Sequence, residues 1–84
     1  MKNKVLIKLI IPNLSEEFDV FIPVNERISK VKEMLVKCAR DLSDSDLEAG
    51  KIYSLVDPDT GTIYDSRLAA RDTNIINTKK VILF

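Results

Sequence analysis

Closely spaced carboxylates are the side chains of this sequence whose types and spacing could do chemistry. Residues 44–50, DSDLEAG, place acidic residues two positions apart, as calcium-binding loops do. The glycine of that segment comes one position late, and Leu55 stands where such loops carry a bidentate glutamate. Residues 57–61, DPDTG, lack that distal ligand as well. We therefore interpret both segments as solvated loops and predict no metal site and no cofactor.

Nucleophilic and acid–base catalysis also have few candidate residues. The chain contains no histidine, so the usual general base near neutral pH and the Ser–His and Cys–His pairs are missing. Cys38, the only cysteine, falls on the apolar stripe of a predicted helix, where a thiol acts as a small core side chain. Gly50 and Gly61 are the only glycines, too few for a phosphate-cradling loop. We predict no catalytic residues and no enzymatic activity.

Composition limits the kinds of partner. The 84 residues fit one domain, residues 1–84, and the 45% hydrophobic and 31% charged content is typical of a soluble globular fold. Thirteen basic residues balance thirteen acidic ones, so no overall field favours nucleic acid or an anionic membrane. The apolar opening is interrupted by Lys8 and closed by Pro12, which favours a strand over a signal peptide. With a single cysteine, this predicts a cytoplasmic protein without nucleic-acid binding or membrane insertion.

Two β-rich runs open the chain. Residues 4–11, KVLIKLII, and residues 17–23, EFDVFIP, are separated by turn residues and should pair as an antiparallel hairpin. Side chains alternate between the two faces of a strand. The predicted core face carries Val5, Ile7, Leu9, Ile11, Phe18, Val20 and Ile22, and the predicted outer side of the second run carries Glu17, Asp19 and Phe21.

The periodicity then changes to that of an amphipathic helix. The predicted apolar stripe consists of Ile28, Val31, Leu35, Cys38 and Leu42, flanked by Met34 and Ala39. Asn25 is the predicted cap. Two i,i+4 ion pairs, Glu26 with Lys30 and Glu33 with Lys37, are expected on the exposed side.

The second half of the chain supplies the remaining strands. A capping box is predicted between Ser45 and Glu48. Residues 51–56 and 62–64 flank DPDTG, in which Gly61 can supply the positive φ of a hairpin turn. A helical turn is expected near Leu68, and a last strand over residues 78–84.

This order of elements predicts an α+β fold. A helix that follows a hairpin lets the last strand pair parallel with the first, which gives a mixed sheet packed on one helix, the β-grasp arrangement with order ββαβββ. The competing ferredoxin-like order needs a helix directly after the first strand and a second full helix, and the sequence predicts neither.

The chain resembles ubiquitin-like proteins over essentially its whole length. ISKVKEML, residues 28–35, resembles the helix start of that fold, and RDTNIINTKKVILF, residues 71–84, is similar to its closing turn and last strand. FDVFIPVNERISKVKEML, residues 18–35, is similar to the YukD/EsaB-like ubiquitin-like proteins encoded with bacterial type VII secretion systems. The broader resemblance implies core positions for Ile75, Val81 and Leu83. The narrower one implies a role in supporting or regulating secretion by protein contact.

Conjugation is the activity for which ubiquitin-like proteins are known, and it requires an extended C-terminal glycine. Gly50 and Gly61 are both internal, and the sequence ends on Phe84 within a predicted strand. We therefore expect a non-conjugating module, with a carrier protein lacking its Gly-Gly tail as the weakest alternative.

The remaining candidate is a binding surface on the sheet. If the first and last strands are parallel neighbours, one face opposite the helix combines Lys4, Leu6, Lys8, Ile10, Lys80, Ile82 and Phe84. We predict an apolar centre with basic residues around it. In ubiquitin-like folds this sheet face is the usual docking surface, so the resemblance implies a protein partner, with a secretion-system component as the expected one. The alternative is a self-associating structural domain, with a homodimer covering the same residues.

Overall fold

The first two strands form the predicted hairpin in a computed structural model that describes residues 3–42 and 52–84. Strand β1, Lys4–Ile11, pairs antiparallel with β2, Glu16–Pro23, without interruption of the register. A 3₁₀ turn, Pro12–Leu14, joins them. The predicted core face is confirmed: Ile7, Leu9, Ile11 and Ile22 are buried, and Val5, Phe18 and Val20 pack partly buried against them.

Helix α1, Ile28–Leu42, lies across the core face of the sheet. Its buried residues are Ile28, Val31, Leu35 and Ala39. Cys38 is half-buried, whereas its place on the predicted apolar stripe implied a core side chain. Ala39 takes that position because it follows Leu35 by four residues and so stays on the same side of a 3.6-residue helix. The side chain of Leu42 lies outside the described part of the chain.

The start of α1 differs from the prediction as well. The helix begins at Ile28, and the N–H groups of Lys30 and Val31 both donate to the Arg27 carbonyl oxygen, so Asn25 is not its cap. The N–H groups of Ile28 and Ser29 donate to the carbonyl oxygens of residues 68 and 66, at 2.8 and 3.1 Å. A distant loop therefore satisfies the first helical N–H groups, which a capping side chain would otherwise do.

Charged pairs along α1 follow a different spacing from the predicted one. Lys30 and Glu33 form an exposed i,i+3 pair at 3.9 Å, and neither predicted i,i+4 pair occurs among the described residues. The predicted helical turn near Leu68 is a 3₁₀ turn at Ala70–Asp72, where Ala70 N–H donates to the Glu26 carbonyl oxygen. The capping box at Ser45 and Glu48 lies outside the described residues.

The sheet is mixed and has the order β2-β1-β4-β3. Strand β3, Leu55–Val56, is short, and β4, Lys79–Leu83, pairs parallel with β1 as predicted. The predicted strand at residues 62–64 is reduced to one bridge between Val56 and Ile63. Gly61 has φ of 73° in the intervening turn, and its N–H donates to the Asp57 carbonyl oxygen at 2.7 Å.

These elements confirm an α+β fold in which a four-stranded mixed sheet packs on one helix. Ile75, Val81 and Leu83 lie in the core, as the resemblance implied. In the part of the chain that the structure describes, no helix has the length and apolarity needed to cross a lipid bilayer.

Candidate functional site

The sheet face opposite α1, here called the outer face, carries the seven predicted surface residues. Lys4 and Lys80 are exposed, and Phe84 keeps 59% of its surface exposed. The half-buried members are Leu6, Lys8, Ile10 and Ile82. The parallel register of β1 and β4 brings the middle of the set together, with Lys8 beside Lys80 and Ile10 beside Ile82.

An apolar row crosses this face. Ile82 lies between Ile10 of β1 and Val56 of β3, and Val56 is bridged to Ile63, which is 66% exposed. Directly opposed residues of neighbouring strands place their side chains on the same face. Phe84 follows Ile82 by two positions and continues the face.

Val56 and Ile63 were missed by the reasoning from sequence. The DPDTG segment carried the signal: Asp57 N–H donates to the Thr62 carbonyl oxygen, so the turn spans residues 58–61 and residue 56 lies opposite residue 63.

Two lysines occupy the middle of the outer face. Lys8 and Lys80 are direct neighbours, Asp19 lies opposite Lys8 on β2, and neither lysine forms an ion pair with any described residue. Lys8 and Lys80 are here called the basic band. The pair of Leu6 and Phe21 lies on one side of this band, and the apolar row lies on the other. The predicted apolar centre with a basic surround is therefore wrong: the charge is central and apolar side chains flank it.

The end of the basic band is fixed by residues just before β4. Asn77 Oδ1 accepts a hydrogen bond from Leu6 N–H at 2.9 Å, and Thr78 N–H donates to the Leu6 carbonyl oxygen at 2.6 Å. Thr78 has φ of 69°, a left-handed conformation that is unusual for a β-branched residue. These bonds hold β4 in register with β1, and so hold Lys80 beside Lys8.

A second polar cluster lies at the other side of the β3–β4 pair and is centred on a buried carboxylate. Asp57 is 2% exposed. Its carboxylate accepts hydrogen bonds from Lys79 Nζ at 2.9 Å, Asn74 Nδ2 at 2.6 Å and Asp59 N–H at 2.9 Å. Tyr64 Oη donates to Asn74 Oδ1 at 2.7 Å, and Lys79 also bonds the Asp59 carboxylate. These five residues are the Asp57 network.

The Asp57 network corrects the interpretation of DPDTG as a solvated loop, since its first residue is buried. Hydrogen bonds from Asn74 and from Lys79 hold the pKa of Asp57 well below its usual range. Hydrogen bonds to Asp59 and Asp57 raise the pKa of Lys79 above its usual range. Both groups are therefore charged and paired near neutral pH, an arrangement suited to holding a turn in place. Among residues 3–42 and 52–84, no group of three metal-ligating side chains occurs.

Tyr64 reports on this network in alkaline solution. Burial, and then the negative charge of Asp57, raises the pKa of Tyr64 to about 12 from 10.0. Because the folded state holds the phenolic proton more tightly, this contribution to stability is complete below pH 10 and is lost as the pH rises towards 12. We expect absorbance at 295 nm to show one tyrosine ionising near pH 12, a step that Tyr64→Phe removes. An unchanged titration in Tyr64→Phe would contradict the assignment.

Comparison with solved structures identifies the fold. The EccD5 ubiquitin-like domain from Mycobacterium xenopi matches 96% of this chain and 92% of its own length, with a TM-score of 0.72 and 16% identity. A chain of the MycP5-free ESX-5 inner membrane complex matches 98% of this chain with a TM-score of 0.73 and 14% identity. This chain spans only 21% of that ESX-5 chain. A chain of the toluene 4 monooxygenase HD complex also matches, with a TM-score of 0.75 and 9% identity over 95% of each chain.

At these identities the likeness shows the fold, and the chain is a ubiquitin-like β-grasp domain. No protein-family model and no curated protein sequence matches it. Because matching structures include both a secretion-complex chain and a monooxygenase complex, function has to be argued from the surface of this chain.

Proposed function

We propose that this ubiquitin-like domain is a protein-interaction module of a bacterial type VII secretion system, which binds a partner through the outer face of its sheet. One observation carries the proposal: the apolar row of Ile10, Ile82, Val56 and Ile63 is continued by Phe84 and lies beside two lysines that form no ion pair with a described residue. Apolar surface beside unpaired charge is typical of a docking site. The likeness to the EccD5 domain and to the ESX-5 complex supports the choice of system.

The size of the apolar row favours a transient complex. Burial of roughly 300–400 Å² of apolar surface would contribute about 8–10 kcal/mol at about 25 cal/mol per Å². Association costs about 4–15 kcal/mol in lost translational and rotational freedom. We therefore expect weak binding unless Lys8 and Lys80 find acidic groups on the partner.

The proposed role is binding at the cytoplasmic side of the machinery, without catalysis. Two features support the absence of catalysis. The sequence has no histidine, and the carboxylate of Asp57 is buried and neutralised by Lys79, so it is a poor general base. Self-association through the same face is the alternative hypothesis. A two-fold pairing centred on the basic band would bring four lysines together, which opposes it.

Ile63→Ser tests the outer face directly. Its side chain is 66% exposed at the end of the apolar row, so we expect an intact fold and partner binding weakened about tenfold or more, the loss typical of an interface anchor. The measurement is co-purification with type VII secretion components from a host that encodes them, with the captured proteins identified by mass spectrometry. Affinity is then measured with the purified component.

Ile52→Ser is the matched control. Ile52 is 85% exposed but lines a groove beside α1 with Val36 and Arg40, away from the outer face. It should leave binding unchanged. Equal loss in both variants would contradict docking through the outer face, and capture of no secretion component would contradict the proposed system. A stable dimer at low micromolar concentration in sedimentation would favour self-association instead.

A further inference from the structure

Strand β2 forms one edge of the sheet and is paired on one side alone. Its eight residues run in unbroken register with β1, without a bulge. Within residues 3–42 and 52–84, no backbone or side-chain group forms a hydrogen bond to the opposite side of β2. An edge of this kind presents a row of N–H and C=O groups with which another strand can pair.

The alternation of hydrogen-bonded pairs in the hairpin shows which backbone groups of β2 point towards the open edge. Val24 N–H donates to the Asn3 carbonyl oxygen at 2.8 Å, so these two residues form a hydrogen-bonded pair. Such pairs alternate with non-bonded pairs along an antiparallel ladder. The backbone groups of the even residues of β2 therefore face β1, and those of the odd residues face the open edge. The N–H groups on that edge belong to Glu17, Asp19 and Phe21.

This edge lacks most of the features that block strand pairing. Natural edges are protected by lysine, proline, bulges or shortness, and residues 16–22 contain none of these. Proline appears only at the last position of β2, Pro23. The protective feature that is present is negative charge, on Glu16, Glu17 and Asp19. Like charges directly opposite each other are destabilising, so a second copy of β2 is a poor match.

We propose that the open edge of β2 accepts an added antiparallel strand from a protein partner whose side chains alternate between basic and apolar. Basic residues would lie opposite Glu17 and Asp19, and an apolar residue opposite Phe21, which is exposed. The partner's intervening residues would share the core face of Phe18 and Val20, which β1 and α1 leave only partly buried. The site uses backbone groups of β2 and adjoins the apolar row only where Glu17 lies opposite Ile10, because Ile82, Val56 and Ile63 lie beyond β1.

A short peptide is the probe. Acetylated, amidated Val-Val-Lys-Val-Lys in antiparallel register places its lysines opposite Asp19 and Glu17 and its first valine opposite Phe21. In amide NMR we expect shifts concentrated on Glu17, Asp19 and Phe21, and slowed hydrogen exchange of the same three N–H groups. Neighbouring amides that already bond to β1 should change little.

Two control peptides separate backbone pairing from charge attraction. N-methylation of the two lysines removes the N–H groups that would bond to β2 and should abolish binding, whereas N-methylation of the valine between them should not. Replacing both lysines with glutamate should weaken binding about tenfold, and the variant Glu17→Lys with Asp19→Lys should reverse that preference.

Several outcomes would overturn the proposal. These are equal binding of the lysine-methylated peptide, shifts spread over Lys8 and Ile82 instead of the edge, or no binding at all. Protection of Glu17, Asp19 and Phe21 that grows with protein concentration without peptide would indicate a second copy as the occupant. Ile63→Ser should leave peptide binding unchanged, so failure of the outer-face proposal and failure of this one give different results.

Discussion

Replacing Lys79 with methionine is expected to lower the midpoint of thermal unfolding by about 10 °C or more, because it leaves a buried carboxylate without its cation. The side chain of Lys79 is 11% exposed and bonds Asp57 Oδ1 at 2.9 Å. Methionine keeps the length and apolar stem of lysine, so the loss reports on charge. Circular dichroism at pH 7 is the measurement.

Lys80→Met is the matched control for this variant. Lys80 is the next residue of the same strand, but it is exposed on the outer face and forms no ion pair with a described residue. Its replacement should change the midpoint by a degree or two at most, as is usual for surface substitutions. Similar losses in both variants would show that the Asp57 network does not hold the hairpin.

The same network predicts how stability depends on pH. The folded-state pKa of Asp57 lies below its ordinary value of 3.8, so its contribution is present above about pH 4 and is lost as the pH falls. The folded-state pKa of Lys79 lies above 10.5, so its contribution is present below that pH and is lost in stronger alkali. We expect a flat maximum between these limits. Asp57→Asn should flatten the acid side of the curve.

The strand and helix faces could be predicted because they depend on local periodicity. Alternation in residues 4–11 and spacings of three and four from Ile28 onward each identified a buried face. The burial of Asp57 could not be predicted in that way. Its partners Asn74 and Lys79 are 17 and 22 residues away, and an aspartate before Pro58 looks the same in a solvated turn.

The error at the helix start has a physical cause, which is that tertiary contacts replaced a local preference. Asn25 is a good capping residue, but carbonyl oxygens of Ser66 and Leu68 already accept the N–H bonds of the first helical residues. The start of the helix therefore depends on a loop about 40 residues later in the sequence. A sequence window around residue 25 contains no information about that loop.

The sequence predicted which residues lie on the outer face better than it predicted which of them are neighbours. Period-two alternation placed Lys8, Ile10, Lys80 and Ile82 on one face, and the structure keeps them there. Which of them are neighbours depends on the parallel register of β1 and β4, which Asn77 and Thr78 help to fix. A shift of one pair of residues would have separated the two lysines, so the central charge is a property of the register.

Leu9→Ala is expected to lower the free energy of unfolding by about 2–5 kcal/mol, since it removes a fully buried side chain from the central strand. Leu9 is 0% exposed, and its register neighbours are Phe18 on β2 and Val81 on β4. Val81 is buried in the core and Phe18 packs partly buried against it, so the surrounding side chains can close only part of the cavity. Urea unfolding followed by circular dichroism is the measurement.

Leu6→Ala makes the same chemical change three residues earlier in β1, on the other face of the sheet. Leu6 is half-buried beside Phe21 on the outer face, so its loss should be about 1 kcal/mol or less. A larger loss of unfolding free energy in Leu9→Ala than in Leu6→Ala means that β1 buries one face and leaves the other available for contact with a partner. Equal losses would mean that both faces of β1 are core, and the outer face would then no longer be available as a docking surface.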